Sequence, residues 1–81
     1  MNQAKLYRDG ELYLSLEVVA EVYEVEVTLL RDVYARGLLG TGVDHGRRLC
    51  IAALELDRVA TIVRLHRVLG LDLDAIELRL G

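Results

Sequence analysis

The chain has 81 residues, 53% of them hydrophobic and 28% charged, with a formal net charge of −3 and a pI near 5.3. That length allows one small domain and no second, and the 30 residues of Leu, Val and Ile exclude the aliphatic depletion that keeps chains unfolded. No apolar run approaches the roughly 20 residues that span a bilayer, Met1 to Gly10 show no apolar leader core, and the lone Cys50 has no partner for an intrachain disulfide, so the expected location is cytoplasmic.

Residues 5–14 read as a hairpin, because Asp9-Gly10 supplies the two positive φ values of a type I′ turn. Ser15 offers a helix N-cap ahead of Leu16, Val18, Val19 and Val22, which stand at helical spacing. A break near Glu24-Val25 follows. Glu26 then opens a second helix carrying Val27, Leu30, Val33 and Tyr34 to a stop at Gly37, so residues 16–36 form a helix-turn-helix signature. Residues 38–50 read as a wing, with strands at Leu38-Leu39 and Arg47-Arg48-Leu49-Cys50 around the turn chemistry of Gly40 to Gly46. A long helix over 51–69 has a wide apolar arc of Leu54, Leu56, Val59, Ile62, Val63, Leu65 and Leu69, expected to face the core on one side and another chain on the other. Gly70 ends it. Asp72 caps a last helix to residue 80, with Leu71 and Ile76 placed for a hydrophobic staple. The expected architecture is mainly α: a winged helix-turn-helix with a small N-terminal β-hairpin, a wing, one long helix and a short C-terminal helix.

Chemistry is sparse. Ser15 is the only serine, and its capping position accounts for it. His45 and Cys50 lack the paired spacing of a zinc site, and the Gly40, Gly42, Gly46 spacing is not a dinucleotide fingerprint. His66 fits a cation at a helix C-terminus, while Asp72 and Asp74 suit a helix start. No cofactor or metal is expected, and the chain is read as a non-enzyme.

Several stretches resemble the MerR superfamily. Ser15-Leu16-Glu17-Val18-Val19-Ala20, Thr28-Leu29-Leu30-Arg31 and Arg36-Gly37-Leu38-Leu39 are similar to its DNA-binding head, and Gly46-Arg47-Arg48-Leu49 to its wing. Residues 63–76, Val-Arg-Leu-His-Arg-Val-Leu-Gly-Leu-Asp-Leu-Asp-Ala-Ile, resemble the CbpM-type chaperone modulators, which bind the J domain of a DnaJ-type co-chaperone. DnaK–DnaJ assembly factors form the same functional class. The resemblance covers about residues 12–80. It departs from DNA-binding members at three places: a Gly in the turn is Glu24, small polar residues opening the second helix give way to Glu26, and an aromatic pair is Asp32-Val33.

Charge gives these departures a direction. Residues 14–39 carry Glu17, Glu21, Glu24, Glu26 and Asp32 against Arg31 and Arg36, a net −3 that equals the deficit of the whole chain. Phosphates repel such a segment, whereas the resemblance implies a basic J-domain helix as partner, free or within a DnaK complex, which an acidic face complements. The expected docking residues are Glu21, Glu24, Glu26 and Asp32, with Tyr23 and Tyr34 beside them as contact or packing residues. The alternative is a transcriptional regulator without its dimerisation coil, whose phosphate contacts would be Arg31, Arg36, Arg47 and Arg48. Self-association through the long helix is a further expectation.

Overall fold

Asp9 and Gly10 adopt φ of 54° and 79°, the mirror-image turn that matches strand twist, and join β1 (Lys5–Arg8) to β2 (Glu11–Ser15). The computed structural model describes residues 5–80; residues 1–4 and 81, including the start of the segment read for a leader, lie outside the described residues. After β2 come α1 (Leu16–Tyr23), α2 (Val27–Ala35), β3 (Val43–His45), β4 (Arg48–Ala52), a 3₁₀ turn (Ala53–Glu55), α3 (Leu56–Arg67) and α4 (Leu73–Leu80). No described helix is long and apolar enough to cross a membrane.

The mainly α winged helix-turn-helix architecture is not what the chain adopts. Helices take 53% and strands 22% of the described residues, in a mixed α/β domain with a curled, four-stranded antiparallel sheet of order β1-β2-β4-β3. The reason is a single long-range pairing. β2 meets β4 through Tyr13↔Ala52, Leu14↔Ile51 and Ser15↔Cys50, which merges the N-terminal hairpin and the second hairpin into one sheet. Ile51 and Ala52 therefore lie in a strand, and the helix expected over 51–69 starts at Leu56 and ends at Arg67. A short apolar run carries no period that separates a buried strand from a helix.

The second hairpin also differs from the expected wing. Its strands are β3 and β4, joined by Gly46 and Arg47 at φ of 58° and 68°, with His45 opposite Arg48. Leu38 and Leu39 are buried in the core instead of pairing as a strand. Gly42 lets the chain pass between β4 and α2: a Cβ there would collide with the Cys50 carbonyl oxygen and stand 3.2 Å from Leu49 Cδ1 and Tyr34 Cε1.

One core ties the layers together. Leu16, Val19 and Ala20 of α1, Leu30 and Val33 of α2, Ile51 of β4, Val59, Ile62 and Val63 of α3, and Ile76 of α4 are all buried in it. Asp72 caps α4 through Oδ1, which accepts from Ala75 N–H at 2.9 Å, and Leu71 packs on the same core.

Candidate functional site

The helix pair begins at Ser15, whose hydroxyl accepts the Val18 N–H at 3.2 Å and whose side chain is fully buried. α1 ends in a Schellman motif: Val25 N–H bonds to Ala20 O at 3.0 Å and Glu24 N–H to Glu21 O at 3.2 Å. The residue in the left-handed position of that motif is Glu24, at φ 57° and ψ 48°. Left-handed geometry disfavours any residue with a Cβ by about 1 kcal/mol. Glycine would avoid that cost.

Three charged side chains mark this turn. Glu21, Glu24 and Glu26 are exposed, and none has a cation within ion-pair distance among the described residues. Glu26 sits at the N-cap of α2, yet its carboxylate makes no capping hydrogen bond. Asp32, exposed on α2, lies 3.7 Å from Arg36 Nε. The turn is fixed from behind by α3: Arg67 Nη2 donates to Tyr23 O at 3.0 Å and to Glu24 O at 2.7 Å, satisfying carbonyls at the end of α1.

Both tyrosines of the expected docking face are tied inward at their hydroxyls. Tyr23 is half-buried, packs on the core and donates to Leu56 O at 3.3 Å. Tyr34, also half-buried, accepts the Gly42 N–H at 3.0 Å and so holds the approach to β3.

The four arginines of the alternative reading are not brought together. Arg31 is paired with Glu17 at 2.8 Å. Arg36 is gripped by α4, with Nη1 at 2.7 Å from Asp74 and 3.0 Å from Glu77, and its hydrogen bond to Asp74 holds the guanidinium charged. Arg47 and Arg48 are exposed at the β3–β4 turn and form no ion pair among the described residues.

Reactive groups are accounted for by the fold. Cys50 is fully buried, and burial pushes its thiol pKa up, with the Glu17 charge adding to the effect. His66 is exposed at the end of α3, where Nδ1–H donates to Leu71 O at 2.9 Å. A cleft of about 320 Å³ lies between the first hairpin and the 3₁₀ turn, lined by Gly10, Glu11, Leu12, Ala53 and Leu54, with Glu11 its single ionisable group. Among the described residues no three His, Cys, Asp or Glu side chains gather as a metal site.

Sequence reasoning missed Val22 and Arg67. Val22 has the apolar spacing of a core residue but is 68% exposed, because α1 presents only Leu16, Val19, Ala20 and Tyr23 inward. Arg67 reads as a solvent-facing cation, since its carbonyl partners lie more than forty residues away in the chain. The wide apolar arc divides: Val59, Ile62 and Val63 are buried, while Leu54 and Leu69, beyond either end of α3, are exposed.

No family model, curated protein or solved structure matches the chain.

Proposed function

We propose that this protein is an interaction module that binds the J domain of a DnaJ-type co-chaperone and regulates or assembles its complex with DnaK. The resemblance of residues 12–80 to CbpM-type modulators supports the reading. The observation that carries it is the charge distribution of the helix pair. Glu21, Glu24 and Glu26 stand exposed and unpaired among the described residues, whereas Arg31 and Arg36 are engaged by carboxylates of the same chain. Such a surface repels phosphate and attracts a basic helix.

The test is a titration of the purified chain against a DnaJ-type J domain at two salt concentrations. Binding should weaken as salt rises. The double variant Glu24→Lys/Glu26→Lys should bind about tenfold more weakly or worse, with an unchanged melting temperature, since the side chains are exposed and Lys tolerates the left-handed position no worse than Glu. Unaltered affinity in that variant sinks the acidic-face reading. Arg47 and Arg48, free at a hairpin turn, favour the second reading, a DNA-binding regulator. Saturable, sequence-selective retardation of duplex DNA by the wild-type chain would put that reading first.

A further inference from the structure

Six large apolar side chains of the described residues are strongly exposed: Tyr7, Val22, Leu54, Val68, Leu69 and Leu78. Single exposed apolar residues are ordinary. Three of these six, however, are sequence neighbours of residues joined by one contact. Arg67 clamps the end of α3 onto the α1–α2 turn through its bonds to Tyr23 O and Glu24 O. Val22 precedes Tyr23, and Val68 and Leu69 follow Arg67, so they stand on the two segments which that clamp joins. Their exposures are 68%, 71% and 56%. The β-branched Val22, at an exposed position of α1, lowers helix propensity and gains no burial in return, so its own fold does not explain it.

We propose that Val22, Val68 and Leu69 form the apolar floor, and Glu21, Glu24 and Glu26 the charged rim, of one docking surface for a basic amphipathic helix of a partner protein. An apolar centre inside a charged rim is how transient protein interfaces are built. A partner helix supplies apolar side chains at positions i, i+3 and i+4 for the floor. Its flanking Lys and Arg residues then meet the three exposed carboxylates. The same carboxylates repel anionic lipid surfaces and nucleic acid, which commits the surface to a polypeptide. The inference rests on the J-domain reading and extends it from charge to apolar contacts.

The experiment is a fluorescence anisotropy titration of the full chain against a labelled DnaJ-type J domain, at two ionic strengths. Val22→Ser/Val68→Ser should weaken binding about tenfold while leaving its salt dependence unchanged. Leu78→Ser, which removes an exposed apolar side chain elsewhere, should bind as the wild type does. If the serine pair melts early, Val22→Ala/Val68→Ala keeps helix propensity and should still weaken binding about threefold. Wild-type affinity in the Val22/Val68 variants, or an equal loss in Leu78→Ser, overturns the inference and leaves the J-domain reading standing. Absence of any binding by the wild-type chain overturns both.

Discussion

The two helices of the pair end in the same hydrogen-bond motif, built on different residues. At the end of α2, Leu38 N–H bonds to Val33 O and Gly37 N–H to Tyr34 O, with Gly37 at φ 78°. At the end of α1 the equivalent bonds run from Val25 to Ala20 and from Glu24 to Glu21, and the left-handed residue is Glu24. The motif at Gly37 is relaxed and its neighbours Leu38 and Leu39 are buried. The motif at Glu24 is strained, and its sequence neighbours Glu21, Val22 and Glu26 are exposed. A glycine at position 24 would relieve that strain, so the two motifs differ in conformational cost and not in hydrogen bonding.

Four substitutions probe that contrast. Gly42→Ala should have the largest effect, lowering stability by about 2–3 kcal/mol in denaturant unfolding, because a Cβ strikes the backbone of β4. It sets the scale of a glycine required for space, as distinct from one required for its φ. Arg67→Ala should cost about 1 kcal/mol by uncapping the Tyr23 and Glu24 carbonyls. Gly37→Ala should cost a comparable 1 kcal/mol or slightly less through left-handed strain, with J-domain affinity unchanged. Glu24→Gly should do the opposite, stabilising the chain by about 0.5 kcal/mol once the extra freedom of the unfolded glycine is subtracted. The same variant should lose J-domain affinity. A Glu24→Gly chain that gains stability and keeps full affinity would reduce the Glu24–Gly37 contrast to an accident of sequence.

Local chemistry was readable residue by residue. Asp9-Gly10 specified a turn, Ser15 a cap, Gly37 a stop and Asp72 another cap, and each sits where its own backbone preference places it. The misreadings share a different cause. Whether Ile51 and Ala52 belong to a strand depends on β2, far away in the chain, and nothing within the run announces that partner. The turn signal stops at Gly46, because Arg47 adopts φ 68° without the Asn, Asp or Gly that ordinarily advertises a turn. For the candidate site, composition revealed the acidic segment, since charge needs no coordinates. It did not reveal that Arg31 and Arg36 are paired within the chain, nor that Val22 faces solvent. Both follow from how α1, α2 and α4 pack.

The pairing of Ser15 with Cys50 also has a kinetic side. The whole helix pair lies inside the loop that this pairing closes. Closing a loop of roughly 35 residues carries about 3 kcal/mol of chain entropy before any sheet contact repays it. Two-residue hairpins and short helices form within microseconds from local contacts alone. The meeting of the two hairpins should therefore limit the folding rate, and shaving Ile51 to Val at their seam should slow refolding in stopped-flow more than the same loss of a methyl from α4.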